Sequence, residues 1–331
     1  MNRVTNRVTR GMVIALLALL ALPFAGAQHD HGAQSNEVTL TVTEEGFEAP
    51  DTLDEGYIVF TLQNETGLTY AITIGRLQEG VSAEDVAAAG TAIDQAFVEG
   101  GDFVAAFRNL VTIVELLSSV DADGDSIGVV LRPGRYILYG ELRGGPEGEG
   151  PAEEGAEAGE DQAEDVEEDA ESAEAETAEG DATAPEGATA PTILEFEVIA
   201  STDAPSAPEA DVQVDMVNFA FAMPAQIQSG PLLWEVRNPS DQAHHLIIMR
   251  LHEGATVQDV LAFMETFEGE PPADEVDYVD MISPDGTVYA TLDLEHGDYL
   301  ALCFIPDHGE EGSGEPHIAL GMHQAFTVTG N

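Results

Sequence analysis

The feature that most constrains this chain is that it carries one pattern twice. Residues 46–86 align without a gap on residues 220–260 at a constant offset of 174. Phe47, Pro50, Gly56, Asn64, Arg76, Leu77, Glu79, Gly80, Asp85 and Val86 fall on Phe221, Pro224, Gly230, Asn238, Arg250, Leu251, Glu253, Gly254, Asp259 and Val260. The halves also close alike. Gly134-Arg135-Tyr136 parallels Gly297-Asp298-Tyr299, and the run Leu194 to Val198 parallels Gln324 to Val328. A chain repeating itself in this way folds as two copies of one plan, so each half constrains the reading of the other.

Short alternating or apolar runs bounded by Gly, Pro and Asn read as strands in both halves. They include Val38–Val42, Tyr57–Gln63 and Tyr70–Ile74, then Val212–Met216, Leu232–Arg237, His245–Met249, Val288–Leu294, Tyr299–Ile305 and Gln324–Val328. Ser82-x-x-Asp85 and Thr256-x-x-Asp259 form capping boxes with Asp in place of Glu, opening helices near 83–89 and 257–266. The expectation is an all-β chain: two tandem Greek-key β-sandwiches with antiparallel strands, each with a short helix insertion. The first occupies 36–200 and the second 211–331, with 201–210, which contains Pro205 and Pro208, as linker.

Charge narrows the partners. Ten basic residues, all Arg, face 63 acids, for a formal net charge of −53. Such a surface cannot displace counterions from a nucleic acid, and an anionic membrane repels it. Residues 145–190 hold 18 acids and no base among Ala, Gly, Pro, Ser and Thr, and read as a solvated disordered insertion before the last strand of the first sandwich. Residues 1–27 read as a secretory signal: Arg3, Arg7 and Arg10, an apolar run from Met12 to Phe24, then Ala25-Gly26-Ala27. Export to a periplasmic or extracellular space follows, with no stable membrane insertion once the leader is cleaved. The lone Cys303 excludes an intrachain disulfide.

Metal-ligating side chains concentrate in the second half. One stretch runs from Asn238 to His244, His245 and Met249; the other carries Cys303, His308, His317, Met322 and His323. A thiolate, imidazoles and a thioether suit copper cycling between Cu(I) and Cu(II). His29 and His31 lie in the mobile-looking N-terminal tail, and Asp121-x-Asp123-Gly124-Asp125 reads as a turn, because its Gly is misplaced for a calcium loop.

An Asn-initiated loop ending in His244, a strand ending in Cys303, then His317-x4-Met322 before a last Val-containing strand resembles the cupredoxins, the plastocyanin-like blue copper proteins. The resemblance implies a single type 1 copper in the second half, held by His244, Cys303, His317 and Met322, and one-electron transfer rather than catalysis. It covers the first half as fold only, since Tyr70 stands opposite His244 and Gly140 opposite Cys303. One departure is plain: thirteen residues separate Cys303 from His317, where the family has few, and His308 offers the shorter spacing; short of standing in as ligands, His308 and His323 read as exposed loop residues. A basic redox protein or a copper-handling protein is the expected partner. Copper sequestration or delivery, and a metal-free interaction module, are the alternatives.

Overall fold

The structure, a computed structural model, describes residues 36–43, 46–144, 192–266 and 268–330. The leader at 1–27, His29, His31 and the acidic stretch 145–190 lie outside the described residues. The first half runs β1 (Asn36–Thr43), β2 (Gly46–Glu48), β3 (Thr52–Asp54), β4 (Gly56–Asn64), β5 (Thr69–Leu77), α1 (Ala83–Glu99), α2 (Phe103–Ile113), β6 (Val114–Val120), β7 (Ser126–Leu131), β8 (Gly134–Gly144) and β9 (Thr192–Ile199). The second runs β10 (Val212–Val217), β11 (Ala220–Ala222), β12 (Gln226–Gln228), β13 (Gly230–Arg237), β14 (His244–Leu251), α3 (Val257–Thr266), β15 (Ala273–Ile282), β16 (Thr287–Leu294) and β17 (Gly297–Leu302). A 3-10 turn, His317–Leu320, and β18 (His323–Thr329) complete it.

The strands form two sheets, ordered β11-β10-β13-β16-β7-β4-β1-β2 and β12-β18-β17-β14-β15-β6-β5-β8-β9-β3. Each order reads as a palindrome in duplicated elements, so the halves are related by a pseudo-two-fold axis through the β7–β16 and β6–β15 seams. The two sandwiches are therefore joined edge to edge rather than strung as beads. Val288 pairs with Val129 and Ile282 with Leu117, and Ser283 exchanges two hydrogen bonds with the Leu116 backbone, both at 2.8 Å. One apolar core runs through both halves, from Val38 and Ile58 to Trp234 and Val328. Joining covers four strand edges that would otherwise offer unpaired backbone groups to water or to other chains.

Local chemistry explains the repeat. Tyr136 and Tyr299, each at the start of the penultimate strand of its half, hydrogen-bond through their hydroxyls to the carbonyl four residues upstream, Arg132 and Glu295, at 2.8 Å. Their rings stack on Phe196 and Phe326 at 5.2 and 5.4 Å. These are paired tyrosine corners, which fix the crossover between sheets. Arg76 and Arg250 likewise donate to the carbonyls of Pro133 and His296.

Three details differ from the sequence reading. The sheets are mixed, because β1–β4, β10–β13, β3–β9 and β12–β18 pair parallel. α1 continues well past residue 89, since Ala-rich sequence on both sides carries it through Gly90; it stops at Gly100, which takes a left-handed φ of 75°. A second helix, α2, follows, capped by the Asp102 side chain accepting from the Ala105 N–H at 3.0 Å. Among the described residues the first half thus holds two helices, not one short insertion, and α2 has no counterpart in the second half.

Candidate metal centre

Three loops at one end of the second half converge. The first is set by Asn238, fully buried, whose Nδ2 donates to the carbonyls of Gln242 and Ile282 at 2.7 Å each while its Oδ1 accepts from the Ser240 N–H. That pins both ends of the 238–243 loop and delivers His244 to the start of β14. Asn64 repeats the device at the equivalent place in the first half.

The second segment is the exit of β17, a strand buried along most of its length, which places Cys303 in the interior. The third begins at His317 and turns through the 3-10 helix. Gly321, at φ 106°, takes a left-handed conformation disfavoured for residues with a Cβ. The turn closes with the Met322 N–H donating to the His317 carbonyl at 2.9 Å, and the Cys303 N–H donates to the Met322 carbonyl at 3.2 Å. Met322 is thereby carried back beside the Cys303 backbone, fully buried.

His244, Cys303, His317 and Met322 each have 0% relative exposure. The Cys303 Sγ lies 3.5 Å from His317 Nδ1 and 3.9 Å from His244 Nδ1, and the two Nδ1 atoms are 2.9 Å apart. One donor atom from each of His244, Cys303 and His317 lies within 4.8 Å of the others, a spacing able to hold a metal ion. The donor chemistry fits copper: one sulfur and two imidazole nitrogens, close together and fully buried.

Burial controls the protonation of the metal-free site. It pushes the Cys303 thiol up to about 12, while backbone N–H groups of His245 and Ile305 oppose the shift by hydrogen-bonding the sulfur. It depresses His244 to about 2 and His317 to about 3, with neighbouring histidines adding to the effect. Both imidazoles are therefore neutral at ordinary pH and present lone pairs.

The other histidines have different tasks. His308, expected as an exposed loop residue, is buried at 6% exposure. Its Nε2 accepts from the Ala243 N–H at 3.1 Å and its Nδ1 donates to the Pro306 carbonyl at 2.8 Å, so both nitrogens are engaged. His245, at 4% exposure, accepts from the Phe304 N–H through Nε2 at 2.7 Å, next to Cys303. Burial holds it low, at about 4, which keeps that acceptor unprotonated. His323 is half-buried in β18.

The thirteen-residue excursion between Cys303 and His317 does not separate them. The chain leaves at Ile305 and returns at His317, whose N–H donates to the Ile305 carbonyl at 2.9 Å; Ile318 N–H donates to the Cys303 carbonyl at 2.8 Å. Between them residues 306–316 form a closed hairpin, with Pro306 bridged to Pro316 and Asp307 N–H bonded to the Glu315 carbonyl. Gln242 ties it down by accepting from the N–H groups of His308 and Gly309 and donating to Asp307. Gln242, Asn218 and Phe219 join the surroundings of the site without any motif to mark them: Asn218 Oδ1 lies 3.4 Å from His244 Nε2, and the Phe219 ring meets His317 edge-on at 5.1 Å.

In the first half the same location is filled. A Cβ added to Gly140, opposite Cys303, would overlap the Phe47 ring, and Phe47 packs edge-on against Tyr70, opposite His244, at 6.1 Å. Two aromatic rings stand where donors would be needed.

The sequence matches no protein-family model and no curated protein. Among similar solved structures is a dithionite-reduced auracyanin from Roseiflexus castenholzii, 21% identical over 35% of this chain and 94% of that one, TM-score 0.24. Auracyanin A, a "blue" copper protein from Chloroflexus aurantiacus, is 17% identical over 36% and 98%, TM-score 0.24. A copper nitrite reductase from Nitrosomonas europaea is 10% identical over 89% and 94%, TM-score 0.21. The structural neighbours of this chain are cupredoxins and multicopper oxidases.

Proposed function

We propose that the second half binds one copper ion in a type 1-like centre held by His244, Cys303, His317 and Met322, and that the protein carries single electrons. The observation that carries this reading is the convergence of Cys303 Sγ with the two Nδ1 atoms inside a fully buried pocket. Copper supplies the one-electron couple, with sulfur donors favouring Cu(I) and imidazoles serving both states. The chain's own part is to hold the donors still. Asn238 fixes the His244 loop, the His317–Met322 turn is closed by its own backbone, and the N–H groups of His245 and Ile305 stabilise charge on the Cys303 sulfur. Donors already in place need little rearrangement when one electron arrives or leaves, and their full burial keeps bulk water from them. The leader at 1–27 places this exchange outside the cytoplasm, and the charge of −53 steers a basic redox partner toward the surface.

The test is a Cu(II) titration of the full chain followed by visible absorption and EPR, with Cys303→Ala alongside. We expect one equivalent of copper and an intense thiolate-to-copper band that Cys303→Ala abolishes. Absence of tight binding, or an unchanged band in Cys303→Ala, would refute the site.

A further inference from the structure

Helix α2 belongs to the half that holds no donors, yet it reaches the loop that carries them. Arg108 donates from Nε to the His308 carbonyl at 2.8 Å and from Nη2 to the Gly309 carbonyl at 2.9 Å, a two-pronged grip on consecutive peptide groups. One residue earlier, buried Phe107 lies edge-on against the His308 ring at 5.0 Å. Val104 packs at the hairpin's far end, 3.2 Å from where a Cβ on Gly314 would sit. A single helix face therefore contacts the 306–316 hairpin at both ends.

What it grips leads directly to the metal donors. The imidazole of His308 accepts from the N–H of Ala243, the residue before His244, and its ring stacks on that of His317 with centroids 6.1 Å apart. The hairpin itself contains Gly309, Gly312 and Gly314 and carries four acids with no cation of its own. Besides Arg108, what ties it to the rest of the chain is Gln242 and the Ala243 N–H on His308, while its other bonds run within the hairpin.

We propose that Arg108 is a positioning residue for the metal centre: the first half, through α2, clasps the hairpin closed over His317 and so locks the metal in. The inference rests on the copper reading above and deepens it, because a clasped site retains its ion and suits a carrier of electrons rather than a donor of copper. Losing a charge-assisted pair of hydrogen bonds frees the hairpin to open and lets a competing ligand reach the ion.

The experiment uses the full chain loaded with copper and follows the decay of the thiolate-to-copper band in excess chelator, alongside EPR. Arg108→Met is expected to release copper at least about tenfold faster than the parent. Arg108→Lys, which can reach one carbonyl but not both with the same geometry, should recover part of the retention. Phe107→Leu, with Arg108 intact, tests the same clasp should Arg108→Met fail to fold, and should also speed release. Phe60→Leu, in the first half's core and away from the hairpin, reports what general destabilisation does. Release within twofold of the parent in the clasp variants, or equal acceleration by Phe60→Leu, would overturn the proposal while leaving the copper site standing. A parent protein that takes up no copper would sink both.

Discussion

Asp277 offers a test of the seam that does not depend on metal. It lies on β15, one of the two strands that join the second half to the first, and its Oδ2 is enclosed with no hydrogen-bond partner among the described residues. Burial, reinforced by the charges of Asp125 from the first half and of Glu275, pushes its carboxyl up to about 8 from an ordinary 3.8. The unfolded chain therefore ionises Asp277 near pH 4, while the folded chain keeps the proton until about pH 8. Between those values the native state binds one more proton than the unfolded state, so this group lowers stability by about 1.4 kcal/mol for each pH unit gained. The ceiling is roughly 5 kcal/mol at pH 8, and local entry of water reduces it to about 2–4 kcal/mol. Asp277→Asn keeps the shape and can still accept from the Tyr278 N–H, a bond of 2.9 Å in the parent, but never ionises. Urea unfolding of the metal-free protein, read from the single buried Trp234, should show the two proteins within about 0.5 kcal/mol at pH 4 and the Asn variant ahead by about 2–4 kcal/mol at pH 8.5. A difference independent of pH, or an Asn variant that loses ground as pH rises, would refute the reasoning.

Two further outcomes follow from the site and its filled counterpart in the first half. Gly140→Cys should not build a second centre: the new Cβ overlaps the Phe47 ring, so we expect a loss of about 1–3 kcal/mol in chemical unfolding and unchanged copper stoichiometry. His245→Ala strands the Phe304 N–H beside Cys303 and leaves a cavity where the buried ring stood, and should cost about 2–4 kcal/mol, with His245→Gln, which can supply an acceptor, recovering part of it in the same unfolding assay.

The duplication was legible because it is written in residues with fixed mechanical tasks. Asn64 and Asn238 close the same loop, Arg76 and Arg250 reach the same carbonyl position, and the capping Asp85 and Asp259 open equivalent helices. The donors stood out for a related reason, since Cys and His are scarce enough in this chain for spacing to carry information. What escaped were relations between segments far apart in sequence. His308 reads as an exposed loop residue because nothing nearby predicts that Ala243 will lend it a peptide N–H and that Phe107 will cover its ring. Arg108 sits 200 residues from its acceptor, in a helix that the repeat itself cannot announce because only one copy has it. The seam between halves was hidden likewise: Val129 and Val288 look like ordinary strand residues, and only the assembled sheets show which edges meet.

Those edges bear on what the first half is for. Removing it would uncover β15 and β16, leaving Ile282, Val288 and Tyr289 without their neighbours and cutting through the common core. The same cut would take away α2 and with it the grip on the His308 and Gly309 carbonyls. A half whose own equivalent positions are filled by Phe47 and Tyr70 thus completes the sheets of the other half and, on the proposal above, holds down the loop beside the donors. Loosening the seam at β15 and releasing the clasp at α2 act on separate surfaces, so their effects on unfolding should add, whereas only the clasp should change how fast the metal leaves the folded protein.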